Sequence, residues 1–188
     1  MKSRTPPKRR NAIQTKAKIL AAAQQAFSET GYSQSGIRDI AAIADVSSTL
    51  LLRYYGSKTA LFEAALIEAM PIGDLLATTE RSQFGEVLAR AFLDTRLDIK
   101  PPSIIALATG DADARDVATR VIDARILAPM AKWLGPPDAS ARALEILILA
   151  MGFVLFTRQF PLLPARRGAD KKLARWLATS IQAIVDPA

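Results

Sequence analysis

The chain has 188 residues, half of them hydrophobic, with 25 Lys and Arg against 18 Asp and Glu and a net charge of +7. That length suits one compact unit or two small ones with a sizeable core. Cysteine and histidine are both absent, which excludes disulfides, thiolate chemistry, thiolate zinc sites and the commonest general base, so neither a metal nor a cofactor is expected.

Ala and Leu are abundant and alternating β-branched runs are few, which predicts an all-α protein. The positive charge is uneven: residues 1–18 carry seven Lys and Arg and no acid, residues 1–70 are net +5, and residues 71–188 are net +2. Residues 1–10, MKSRTPPKRR, read as a disordered basic arm without the apolar stretch of a signal peptide. The first helix is predicted from Asn11 to Glu29, with Ile13, Ala17, Leu20, Ala23, Ala26 and Phe27 on its apolar face and Gly31 ending it.

Residues 36–55 have the pattern of a helix-turn-helix. Ile37, Ile40, Ala41 and Ala44 fall at helical spacing, and Ala41 is small enough to let a second helix cross closely. Asp45 stands where the chain must turn, and Asp tolerates the left-handed conformation better than most residues. Val46 plugs the corner, and Ser47 is an N-cap for a second helix, Ser48 to Tyr55. There Leu51 points inward while Ser48, Thr49, Arg53 and Tyr54 are polar and available, as a major-groove reader requires. The excess positive charge lies in the same segment, and phosphate neutralisation makes nucleic acid the expected partner. Gly56 makes the next turn and Ser57 caps a fourth helix carrying Leu61, Phe62, Ala65, Leu66 and Met70 to Pro71. Phe27, Ile40, Val46, Leu51, Tyr55 and Phe62 are the expected core of this head. The same spacing also fits a plain helical hairpin in a bundle.

Beyond Pro71 five more helices are predicted: Ser82–Asp98, Ser103–Thr109, Ala114–Leu134 kinked at Pro129, Ala139–Phe160 and Ala169–Val185. Gly135–Pro136–Pro137–Asp138 is a break with Asp138 as a cap. The helix at 139–160 is apolar nearly all round and must be covered on every side. With the stripe Leu173, Trp176, Leu177, Ile181 and Ile184 at 169–185, it predicts a homodimer interface. The run Ile146–Phe156 is too short to span a bilayer, so a buried helix and a cytoplasmic protein are expected.

Residues 19–62, ILAAAQQAF…GY…IRDIAAIADVS…L..YYGSK..LF, resemble the TetR/AcrR family of one-component bacterial transcription regulators. The resemblance implies an all-α homodimer with a three-helix DNA-binding head and a larger ligand-binding and dimerisation body, about nine helices in all. The body shows only a loose likeness, in KWLGPPDASARALEILILAMG and FPLL, to one sub-group of C-terminal domains. The implied domains are the arm at 1–10, the DNA-binding head at 11–56 and the body at 57–188. Carried over by position, Ser48, Thr49, Arg53 and Tyr54, following the Ser47 cap, face bases or phosphates. Lys58 matches a phosphate-binding lysine at a helix start, and Ser35, Gly36 and Arg38 match a helix start that touches backbone phosphate. Three positions depart from the usual pattern. Gly36 lacks the usual hydroxyl, Asp45 replaces a turn glycine, and Leu52 stands where a phosphate-binding Tyr is common, with Arg53 taking over part of that contact or reading a guanine. Tyr55, at a usual Phe position, is expected in the core.

The function expected is a repressor that binds a palindromic operator in double-stranded DNA and is released by a small hydrophobic ligand, and not an enzyme or a membrane protein. Its pocket is expected among the body helices, with Asp94, Arg96, Arg120, Asp123 or Arg125 as candidate polar anchors. The alternatives are a ligand-independent architectural DNA binder and, remotely, a helical enzyme using carboxylates. Asp111, Asp113 and Asp116 suit a hard cation in principle, but read more simply as a loop and N-cap. GSKT at 56–59 is not a phosphate loop, since Gly and Lys are not adjacent.

Overall fold

Twelve α-helical segments make up most of the regular structure in a computed structural model that describes residues 8–94, 96–160 and 167–187. Among the described residues there is no strand, as an Ala- and Leu-rich sequence without alternation requires. The three segments beyond the expected nine are a one-turn helix after Gly31, a short helix after Pro71, and a division of the predicted 114–134 helix. The chain forms two compact units, one of residues 1–69 with 104–118, the other of 70–103 with 119–188. The expected boundary at 56/57 falls inside the first unit.

In the first unit, α1 spans Lys8–Glu29, α2 Gly31–Gln34, α3 Ile37–Ile43, α4 Ser48–Tyr55 and α5 Lys58–Glu68. Residues 104–108 of α8 (Pro101–Ala108) and 112–118 of α9 (Ala112–Ile122) complete it. Of the expected arm, residues 1–7 lie outside the described residues, and the backbone of 8–10 belongs to α1. The apolar face of α1 differs from expectation: Ile13 is 63% exposed and Ala17 is also exposed, while Ile19, Ala22, Ala23, Ala26 and Phe27 are buried. The helix buries only its second half, so its first apolar positions face solvent. Around Phe27 the rings of Tyr32 and Phe62 close at 6.0 and 5.1 Å, the second pair edge to face, an arrangement favoured by the ring quadrupoles. Ile40, Leu51, Leu61 and Leu66 fill the remaining core, whereas Val46 and Tyr55, expected in it, are only half-buried. Gly31 adopts φ +79°, and a Cβ there would lie 3.3 Å from Leu107 Cβ, so the glycine serves both the left-handed turn and a close approach.

In the second unit, α6 spans Ile72–Thr78, α7 Phe84–Leu93 after a 3-10 turn at Arg81–Gln83, α10 Ala128–Leu134, α11 Ala139–Val154 and α12 Arg167–Val185. The predicted 82–98 helix therefore stops at Leu93. The expected kink at Pro129 is a wide turn instead: Asp123–Leu127 is π-helical, and the Ala128 N–H reaches the Asp123 carbonyl. Pro129 lacks the N–H for a bond to residue 125 and its ring crowds that carbonyl, so an extra residue in the preceding turn relieves the clash. Asp138 was expected as a side-chain cap of α11; it holds the cap position at φ +51° but its side chain makes no cap bond. Arg142 takes over the loop: it is 7% exposed and donates to the carbonyls of Gly135, Pro137, Ile184 and Val185. The core gathers Phe84, Leu88, Met130, Ile146, Phe153, Leu177 and Ile181. The continuous helical stretch Ala139–Gln159 is in fact long and apolar enough to cross a membrane by length and composition, contrary to the shorter run expected. Here it packs on α10 and α12, and its buried residues are Arg142, Ala143, Ile146, Phe153 and Val154, with the Phe153 ring stacked on Phe92 of α7.

Candidate nucleic-acid interface

The turn between α3 and α4 is built by local chemistry. Asp45 adopts φ +54°, and the Val46 N–H returns to the Ala41 carbonyl at 3.0 Å. The Ser47 hydroxyl then accepts from the Leu50 N–H at 3.1 Å, capping α4. Leu51 is fully buried beneath the helix. Opposite it, Thr49, Leu52, Arg53 and Gly56 are all exposed, at the i, i+3, i+4, i+7 spacing of one helical stripe. Ser48 and Tyr54 are half-buried at its margins, and the Lys16 ammonium lies 5.5 Å from the centre of the Tyr54 ring. The Tyr55 hydroxyl reaches the Lys16 carbonyl at 3.4 Å. Burial, then the charge of Glu68 and the neighbouring Tyr54, push its phenol pKa up, so Tyr55 acts as a neutral buttress behind α4.

At the start of α3, Arg38 is exposed but Ser35 is buried. Its hydroxyl donates to the Gly31 carbonyl at 2.6 Å and pairs with Thr30 Oγ1 at 2.9 Å, so the side chain is spent on the preceding turn. Gly36 holds the N-cap position in extended conformation without a side-chain bond. A Cβ on it would lie 2.6 Å from Asp39 Oδ2; the absent side chain leaves room for a carboxylate at the positive end of the helix.

Lys58 opens α5 beside the Ser57 cap, whose hydroxyl accepts from the Ala60 N–H at 3.0 Å. Its ammonium stands 4.4 Å over the Tyr32 ring and 3.4 Å from the Ser33 carbonyl. Ser33 in turn donates to Asp111 Oδ2 at 2.9 Å, while Asp111 Oδ1 accepts from the Ala114 N–H at 3.1 Å. Those two hydrogen bonds, with help from the Lys58 charge, hold the Asp111 carboxyl below the usual range. Asp111 is thus the cap of α9, the plainer of its two readings. Among the described residues no cluster of three or more metal-ligating side chains occurs.

Of the nine sequence-derived positions, Ser47, Ser48, Thr49, Arg53 and Tyr54 come together on α4, Arg38 and the bare Gly36 start α3, Lys58 rests on Tyr32, and Ser35 faces inward. Leu52, a departure from the family pattern that is not among those nine, stands three residues after Thr49 and is exposed on the same face. Nothing local signalled the contact of Lys16 with Tyr54 or of Ser33 with Asp111.

In the second unit, Leu144, Ile148 and Phe156 on the α11 stretch and Trp176 on α12 are exposed apolar side chains. A cavity of about 470 Å³ opens between α7 and α12, lined by Ala89, Leu93, Ala174 and Ala178 with Glu86, Arg90, Arg175 and Gln182. None of the candidate anchors lines it. Asp94 and Arg96 are paired with each other at 2.7 Å, and Asp123 and Arg125 are exposed on the π turn.

A basic helical unit whose α3–turn–α4 pair presents a capped, solvent-facing second helix, in a chain that also forms a helical bundle, has the organisation of a helix-turn-helix transcriptional regulator. The chain belongs to the TetR family of bacterial regulatory proteins: that family's N-terminal profile matches residues 19–65, and the tetracyclin repressor-like C-terminal domain matches residues 82–185. It is 34% identical over 98 residues to the HTH-type transcriptional regulator RutR of Escherichia coli, a match spanning 51% of this chain and 46% of that protein. The chain thus matches about half the length of these curated relatives. Among solved structures, Salmonella enterica GusR aligns at a TM-score of 0.67 with 17% identity, over 98% of this chain and 97% of that one. A TetR-family regulator from Streptomyces coelicolor aligns at 0.55 with 25% identity over 98% and 99%. Members of this family regulate transcription and are not, in general, enzymes.

Proposed function

We propose that the protein is a sequence-specific repressor: a cytoplasmic homodimer that holds a palindromic operator and lets it go when a small hydrophobic ligand enters the body. The observation that supports this most is the exposed stripe Thr49, Leu52 and Arg53, ending at the Gly56 C-cap, on a helix anchored by Leu51 and capped by Ser47. Such a helix enters the major groove with its polar positions toward base edges. Residues 11–56 would be the reading head and 57–188 the ligand-binding and dimerisation body. Arg38, Arg53, Tyr54 and Lys58 would contact DNA through side chains, and Gly36 through its backbone N–H. Ser35 would support that helix start through the buried turn rather than touch phosphate with its own hydroxyl.

The dimer would form through 139–160 and 169–185, where Leu144, Ile148, Phe156 and Trp176 are exposed. A two-fold dimer places two recognition helices about one DNA turn apart or a small multiple of it, hence the palindrome. Release follows if the ligand binds more tightly to the dimer whose head spacing no longer matches successive major grooves. The deciding experiment is selection of random duplex DNA by the purified protein, followed by binding over a salt series. A recovered palindrome with affinity falling as salt rises supports the reading; no enriched sequence and no salt dependence would refute it.

A further inference from the structure

We infer that Leu52 is a specificity-determining residue that reads thymine through its C5 methyl group. This rests on the reading of α4 as the recognition helix. Leu52 is 40% exposed and stands in one stripe with Thr49, Arg53 and Gly56. It is the large apolar member of that stripe. Its side chain has no donor for a phosphate, so it cannot do what the tyrosine usual at this place in the family does. The one methyl group that the major groove offers a leucine is that of thymine; beside it the edge carries the small C–H of cytosine and otherwise donors and acceptors, which an apolar side chain would desolvate.

The surroundings permit the close approach such a contact needs. Gly56, one turn further along the stripe, carries no side chain, and a Cβ built on it would meet no atom within 4 Å. Thr49, one turn before, adds a methyl and a hydroxyl beside the leucine. Arg53, the next residue, brings a guanidinium suited to guanine O6 and N7. The stripe therefore reads as an apolar contact next to a bidentate polar one, and a thymine neighbouring a guanine is the step it fits.

The test begins with the sequence recovered by selection and replaces each of its thymines, one at a time, by deoxyuridine, which deletes the methyl and leaves base pairing intact. For the wild-type protein one symmetry-related position is expected to lose about three- to fivefold in Kd, the worth of one methyl taken out of water. Leu52→Ala, which removes the contact from both half-sites, should bind the parent operator more weakly by about the square of that factor, roughly ten- to twenty-five-fold, and show no further loss at that position. Because Leu52 is a surface residue, the thermal midpoint of the variant serves as the control for folding. Uniform tolerance of deoxyuridine by the wild type, or equal sensitivity in wild type and Leu52→Ala, would overturn the assignment while leaving DNA recognition by α4 in place. Failure to recover any sequence would instead overturn the recognition-helix reading, and this assignment with it.

Discussion

Arg81 and Arg142 converge on a single acceptor, the Val185 carbonyl, at 2.7 and 2.8 Å. Arg81 also donates to the Trp133 and Leu134 carbonyls, and Arg142 to those of Gly135, Pro137 and Ile184. These acceptors lie at or just beyond the C-termini of α10 and α12, where backbone carbonyls lack helical partners and the dipole favours cations. The two guanidiniums tie the end of the chain to the loop before α11. Arg142→Ala is expected to cost roughly 3 kcal/mol in urea unfolding, because it leaves several carbonyls unsatisfied. Arg81→Ala, at a half-exposed site, should cost about 1 kcal/mol, and the double variant more than the summed losses, because either guanidinium alone still satisfies the shared Val185 carbonyl.

Gly85 sets the approach of α7 to α12. A Cβ on it would overlap the Ala178 carbonyl, and its N–H bonds Gln182 Oε1 at 3.0 Å. The obstruction is backbone, which cannot swing aside. Gly85→Ala should therefore destabilise the protein by about 2–3 kcal/mol through overpacking, read as a lowered thermal midpoint. Gly56→Ala, in open space, should show only the smaller strain of its φ of +76°.

Arg53 and Lys58 should separate by their signatures on DNA. Arg53→Ala is expected to weaken operator binding by about five- to 150-fold, roughly 1–3 kcal/mol, and to relax the recovered sequence at one position per half-site. Lys58→Ala should weaken binding to all sequences alike and lower the salt slope by about one per protomer. Unchanged affinity of Arg53→Ala would exclude it as a contact.

The carboxyl of Asp94 is held down to about 2, from an ordinary 3.8, first by the hydrogen bond from the Arg96 side chain and then by the one from the Arg96 N–H. A depressed pKa means that this contact stabilises the fold above the ordinary carboxylate pKa. That stabilisation is lost as the pH falls from about 4 toward 2. Titration of the Asp94 side-chain carboxyl by NMR should give the low midpoint in wild type and a higher one, still below the ordinary 3.8, in Arg96→Ala, which keeps the backbone N–H and leaves Arg158 in place.

Ile148 is 61% exposed on α11. If this face joins two copies, Ile148→Glu should shift the mass in light scattering from dimer to monomer while leaving helical content intact. A wild-type protein that is monomeric at micromolar concentration would refute the interface.

Features that depend on near neighbours are legible in the sequence. Helical spacing placed α3, α4 and α5. Asp45 marked the left-handed turn, and Ser47 and Ser57 marked caps confirmed by bonds to Leu50 and Ala60. Each feature spans three or four residues, so its physics is written in a short window. The tertiary structure decided what joins distant positions. It laid Lys58 over Tyr32 and gave Asp111 to Ser33. It also brought Arg81 and Arg142 to one carbonyl more than forty residues from Arg142. A side chain with several polar partners in reach takes those the packed helices present, and no local pattern records which helices those will be.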